Sequence, residues 1–129
     1  MIVYLDTSAA AKLVVHEEET HAVRTYLDAV DAGDEIASSI LLLTELRRLA
    51  VRAGLEQQRA TAVLDQVRLV LPDAAVFAAA GLLPDPLLRS LDALHLATAV
   101  RVEAEVLVAF DQRLLSAARD LGMRTVSPS

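Results

Sequence analysis

Short apolar runs alternate with stretches of helical period along the whole of this chain, and that alternation restricts the fold more than any other feature. Strand-like runs fall at Ile2 to Leu5, Glu35 to Ser38, Arg68 to Leu71, Glu105 to Phe110 and Arg124 to Ser127. Most are apolar enough for a sheet covered on both faces. Strands separated by helices pair in parallel through right-handed crossovers. The order therefore predicts a three-layer α/β/α domain around a central, mainly parallel sheet of four to five strands. No linker, internal repeat or low-complexity segment interrupts it, so residues 1–129 are expected to form a single domain. At 129 residues and 54% hydrophobic composition, the chain can bury one substantial core.

The intervening segments carry their own start and stop signals. Ser8 can cap a helix running to about Val15, and a second helix spans Glu19 to Val30 before the turn-like DAGD at 31–34. Ser38 or Ser39 opens ILLLTELRRLAVRAG, which Gly54 stops, and Gln57 to Val67 continues as another helix. Pro72 and Asp73 start AAVFAAAGLL. The loop LPDPLLR then leads to a helix from Ser90 to about Glu103, and Asp111 begins a last helix closed by Gly122. The C-terminal SPS reads as a frayed end.

Composition excludes several classes of protein. With no cysteine there is neither a disulfide framework nor a thiolate metal site, which favours an intracellular home. MIVYLD lacks the basic segment of a signal peptide. The longest uncharged apolar stretch, residues 74–83, is about half of what a membrane span requires. A soluble cytoplasmic protein with no membrane partner is the expectation. The net charge of −6 argues against a broad nonspecific nucleic-acid surface. It leaves room for an enzyme that meets nucleic acid through metal ions at one acidic pocket.

Four acids stand out. In open parallel sheets ligands bind beyond the carboxyl ends of the strands, and Asp6 and Asp111 each follow an apolar strand directly, at that edge. Helix capping accounts for either one taken alone. Glu45 falls at the margin of an apolar arc of Leu42, Leu46, Leu49 and Ala53, where pairing with Arg48 or Arg52 is the structural alternative. Asp92 lies in the first turn of SLDALHLATAV, a helix apolar around most of its circumference, and its side chain would point toward the helix start. Folding the alternation into one sheet lets the four converge. Unpaired, they would repel and some would take up protons, a conflict that a hard divalent cation removes. Oxygen ligands without cysteine suit Mg²⁺ or Mn²⁺, whose natural chemistry is phosphodiester hydrolysis.

The order of LDTSA at 5–9, TELRR at 44–48, LDALHLATA at 91–99 and VAFDQRLLSAA at 108–118 resembles PIN-domain ribonucleases, most closely the VapC toxins of bacterial toxin–antitoxin pairs. The resemblance runs from the first strand to the last. It implies a metal-dependent endoribonuclease whose metal-binding and catalytic acids are Asp6, Glu45, Asp92 and Asp111. The supporting hydroxyl after the first acid corresponds to Thr7 or Ser8. A homodimer, a VapB-type antitoxin that covers the active site, and single-stranded loops of structured RNA as substrate are also implied. One position departs from the pattern: many relatives carry Thr or Ser two residues before the last acid, where this chain has Ala109. Loss of that hydroxyl weakens the expected support of a second metal.

Other residues have weaker claims. His95, three residues after Asp92, could join it as a ligand or be a hydrogen-bonded core histidine. His16 and His21 flank the acidic run HEEETH, expected on a solvated loop. Lys12 and Arg113 stand where a scissile phosphate could be held, though both also read as surface residues. The alternative function is a PIN-like module that binds RNA or protein without cutting.

Overall fold

The structure is a computed structural model that describes residues 1–129. Its elements are β1 (Ile2–Leu5), α1 (Thr7–Val14), α2 (Thr20–Asp28), β2 (Glu35–Ser39), α3 (Leu41–Ala53) and α4 (Gln57–Leu64). They continue with β3 (Arg68–Val70), α5 (Ala74–Gly81), α6 (Ser90–Arg101), β4 (Val106–Val108), α7 (Gln112–Asp120) and β5 (Arg124–Val126). The five strands form one sheet in the order β3-β2-β1-β4-β5, and every neighbouring pair is parallel.

The two central strands show why the sheet is covered on both faces. Val3 and Leu5 of β1, with Val106 and Val108 of β4, join a core with Ala9, Val14, Val23, Leu42, Leu46 and Val63 on one face. Tyr4, Leu107 and Ala109 point the other way, into a core with Leu96 of α6 and Leu114, Leu115 and Ala118 of α7. Successive residues of a strand face opposite sides, so an all-apolar strand is stable only between two helical layers. Helices α1–α4 form one layer and α6–α7 the other, with α5 packed on α6 through Val76, Ala80, Ala93 and Ala97. Each fully buried Val or Leu contributes about 1.5–3 kcal/mol before chain entropy is counted.

Several boundaries differ from the sequence reading. Helix α1 is capped by Asp6 itself and not by Ser8 or Thr7: the backbone at Asp6 is extended (φ −76°, ψ 156°), and its carboxylate accepts from the Ser8 amide. Helix α4 ends at Leu64, and residues 65–67 turn into β3. Helices α2 and α6 are likewise shorter than expected, as are β3, β4 and β5. Helix α3 does end at Gly54, whose φ of +68° is the left-handed conformation that favours glycine at a helix C-terminus. His16 is exposed on the loop before α2, but His21 lies in the first turn of that helix.

The C-terminal SPS is not a free end. Ser127 Oγ donates to the Ala109 carbonyl at 2.6 Å and Pro128 is buried, so the tail braces the end of β4. No helix is long and apolar enough to cross a membrane.

Candidate active site

The register of the central strands brings two acids together. Leu5 is paired with Val108, and the Asp6 amide donates to the Val108 carbonyl at 3.0 Å, so β1 and β4 finish side by side. Asp6 and Asp111 emerge from these adjacent ends and each caps the helix that follows. Asp92 comes from the first turn of α6 and Glu45 from the second turn of α3, on opposite sides of the sheet.

Asp6 is 3% exposed, and one of its oxygens is committed to the protein. Oδ2 accepts from the Ser8 amide at 3.1 Å and the Ser8 hydroxyl at 2.6 Å. The same hydroxyl oxygen accepts from the Phe110 amide at 2.9 Å, which ties the Asp6 turn to the Asp111 turn. Asp111 Oδ1 accepts from the amides of Arg113 and Leu114 at 2.9 and 3.3 Å. Glu45 Oε1 accepts from Thr7 Oγ1 at 2.9 Å and contacts His95 Nε2 at 2.7 Å. Three of the four carboxylates thus have one oxygen held and leave the other without a protein donor.

Asp92 is different because it accepts no hydrogen bond. Partial burial, then the charges of Asp111 and Asp6 with a smaller one from Glu45, push its pKa up to about 6, against an opposing effect of His95. Hydrogen bonds stabilise the ionised form of a carboxylate, and like charges without donors destabilise it. No Lys or Arg forms an ion pair with any of the four acids. Nor does any group of three Asp, Glu or His side chains close to the geometry of a single ion. The acids lie near enough for the charges of Asp111, Asp6 and Glu45 to act on Asp92, but not so near that three of them close on one ion.

The structure also resolves which hydroxyl supports which acid. Both Ser8 and Thr7 take part, Ser8 at Asp6 and Thr7 at Glu45. Glu45 does not pair with Arg48 or Arg52; its partner is His95, which is 1% exposed and uses its other ring nitrogen on Tyr4. Both His95 nitrogens are therefore engaged within the protein, which makes it the hydrogen-bonded core histidine and leaves no nitrogen free beside Asp92. Burial acts to lower the His95 pKa, but the Glu45 hydrogen bond and the Asp6, Glu45 and Asp92 charges outweigh it and raise the pKa.

Lys12 is held by Glu17 and by Glu19 at 3.2 Å, and its ammonium lies 5.1 Å from the centre of the Phe110 ring. Arg113 is exposed in the first turn of α7. Ala109 is buried in the apolar core on the α6–α7 face. Sequence reasoning missed Tyr4, whose hydroxyl sits 2.8 Å from His95 Nδ1. The available signal was a phenol inside the otherwise aliphatic IVYL, because a buried Tyr hydroxyl needs a partner.

A profile of the PIN domain matches residues 3–120. Ribonuclease VapC47 of Mycobacterium tuberculosis is 39% identical over 132 residues, covering 98% of this chain and 97% of that protein. Ribonuclease VapC46 of the same species is 40% identical over 134 residues, covering 98% of each. Among solved structures, VapBC2 from Rickettsia felis bound to a promoter DNA fragment contains a chain with a TM-score of 0.76, 18% identity and 100% coverage of both chains. VapC20 of Mycobacterium tuberculosis, a sarcin–ricin loop cleaving toxin, gives a TM-score of 0.70 at 18% identity, covering 89% of this chain and 94% of that one. At that identity the two structures share the fold, whereas the profile and the full-length relatives establish descent. The chain belongs to the PIN-domain family, in its VapC branch.

Proposed function

We propose that this protein is a metal-dependent endoribonuclease, the toxin of a VapBC-type pair, with Asp6, Glu45, Asp92 and Asp111 as ligands of Mg²⁺ or Mn²⁺. One observation carries the reading: four carboxylates from two strand ends and two helices face one edge of the sheet, and no Lys or Arg neutralises them. An all-oxygen donor set of that charge matches a hard divalent cation, and the unsupported Asp92 is the residue that gains most from one. Such an ion supplies Lewis acidity toward a phosphoryl group and lowers the pKa of a water.

The protein's own residues do the rest. Ser8 orients Asp6 and couples it to the Asp111 turn, Thr7 and His95 orient Glu45, and the α7 amides orient Asp111. Arg113, exposed two residues after Asp111, with Lys12 less available because of its glutamates, is assigned to hold the scissile phosphate. RNA as substrate is supported by the ribonuclease relatives at 39 and 40% identity. Single-stranded loops of structured RNA are the expected targets. A VapB-type antitoxin and a homodimer complete the proposal; a toxin–antitoxin complex from Klebsiella pneumoniae, of the same fold with a TM-score of 0.72, supports the first.

Cleavage of a structured RNA by wild type with Mg²⁺, and its loss in Asp6→Asn and Asp92→Asn proteins that still fold, tests the assignment. Equal cleavage by the variants would remove these acids from the mechanism. The spacing of the acids, too open for one ion to be gripped by three of them, favours a second reading as a non-catalytic RNA- or protein-binding module. Calorimetric titration separates the two, because that module would show no Mn²⁺ binding in the free protein.

A further inference from the structure

Behind Glu45 lies a buried line of hydrogen bonds that crosses the molecule from one helical layer to the other. The Ser39 amide, at the end of β2, lies 3.0 Å from the Tyr4 hydroxyl on β1. That hydroxyl lies 2.8 Å from His95 Nδ1 on α6, and His95 Nε2 lies 2.7 Å from Glu45 Oε1 on α3. Tyr4 is fully buried and His95 is 1% exposed, so water does not compete with the two bonds of Tyr4.

The two ends of the line fix its direction when the imidazole is neutral. An amide nitrogen can only donate, and an ionised carboxylate can only accept. With a neutral imidazole the Ser39 N–H donates to the Tyr4 oxygen, the Tyr4 O–H donates to Nδ1 and Nε2–H donates to Glu45; with an imidazolium Nδ1–H donates to the Tyr4 oxygen instead, and Nε2–H still donates to Glu45. Burial raises the pKa of the Tyr4 phenol, which keeps it a donor. Bonds aligned in one direction polarise one another, and more so where the local dielectric is low. Tyr4 also meets the His95 ring edge-on, with centroids 5.9 Å apart and planes at 75°, which fixes the plane of the imidazole.

All of this converges on a single oxygen. Glu45 Oε1 takes both the His95 and the Thr7 contact, and Oε2 has no protein partner. We propose that Tyr4 and His95 are positioning residues of the site: a hydrogen-bond chain anchored on the Ser39 amide pins Oε1 of Glu45 and leaves Oε2, which has no protein partner, for the ion. The inference rests on the reading of Glu45 as a metal ligand.

Mn²⁺ titration by calorimetry, paired with thermal melts, tests it on Tyr4→Phe, His95→Leu, His95→Gln and the Tyr4→Phe/His95→Leu double variant. Loss of such support behind a ligand typically weakens metal affinity by about 10–100-fold. Tyr4→Phe and His95→Leu are expected to weaken Mn²⁺ binding about tenfold or more. His95→Gln, whose amide can still donate to Glu45, should restore most of the affinity. In the His95→Leu background Tyr4→Phe should cost no further affinity but should still lower the melting temperature, because the Ser39 amide loses its acceptor in either background. A purely structural role would move stability alone.

Wild-type Mn²⁺ affinity in both Tyr4→Phe and His95→Leu, with binding abolished in Asp6→Asn, would overturn the positioning role and leave the metal site standing. Undiminished Mn²⁺ binding by Asp6→Asn would instead overturn the metal site itself. Should the core variants fail to fold, long-range ¹H–¹⁵N spectra of wild-type His95 in alkaline buffer decide: the Nε2-protonated tautomer is expected, and the Nδ1-protonated one breaks the chain.

Discussion

Asp92→Asn is expected to stabilise the metal-free protein while abolishing cleavage. Asp92 accepts no hydrogen bond, and its pKa rises from 3.8 to about 6 through burial and the charges of Asp111 and Asp6. A shift of roughly two units, at about 1.4 kcal/mol each, sets a ceiling near 3 kcal/mol on the cost of charging it in the folded state. Asp92 remains partly open to solvent, and screening reduces this to about 1–2 kcal/mol. The folded pKa lies above the unfolded one, so the native state binds more protons between about pH 4 and pH 6. Wild-type stability from this group therefore falls as pH rises through that window, and the penalty is complete above it. Asn carries no such penalty. In chelator at neutral pH the variant should melt about 3–10 °C above wild type, and the gap should close toward pH 4. Melting curves at the two pH values measure this directly, and added Mn²⁺ should raise the wild type more than the variant. A variant no more stable than wild type at neutral pH, or an advantage undiminished in acid, would refute the electrostatic account.

Substitutions at three further positions separate folding from chemistry. Asp111→Asn keeps an oxygen for the Arg113 and Leu114 amides and should fold like wild type, whereas Asp111→Ala should lose about 1 kcal/mol of cap; melts and RNA assays should show both inactive. Ser8→Ala leaves the Phe110 amide without its acceptor and Asp6 with one donor fewer, so it should cost about 1–3 kcal/mol by urea unfolding and weaken Mn²⁺ binding about tenfold. Leu46→Ala, at a fully buried position in the apolar core, should cost about 2–5 kcal/mol by the same unfolding assay and leave Mn²⁺ affinity in the folded protein unchanged.

The sheet was legible in the sequence because its signals are local. IVYL and VLV are apolar without alternation, and only strands covered on both faces can be so. Asp6 and Asp111 were legible for the same reason, since each is the first polar residue at or just beyond a strand end. What could not be read was the wiring between elements. Ser8 meets Phe110, Tyr4 meets His95 and Glu45 meets Thr7, contacts between residues 38 to 102 positions apart that no helical or strand period encodes. Asp6 illustrates the limit well: cap and candidate ligand looked separable along the chain, yet one carboxylate serves both, with Oδ2 turned to the helix and Oδ1 without a protein donor. The tail was misjudged because the acceptor of Ser127, the Ala109 carbonyl, lies just past the end of β4, distant in sequence.

The position of β1 at the centre of the sheet has a consequence in time. Val3 lies against Val106 as well as Ile36, so β1 obtains one neighbour from β2 and must wait for the other until β4 follows. At roughly 5–20 residues per second, on the order of 5 to 20 s of synthesis separate Asp6 from Asp111. During that interval the emerging polypeptide has no acidic pocket. The four acids can meet only once β4 has been delivered, after Asp6, Glu45 and Asp92 have been made.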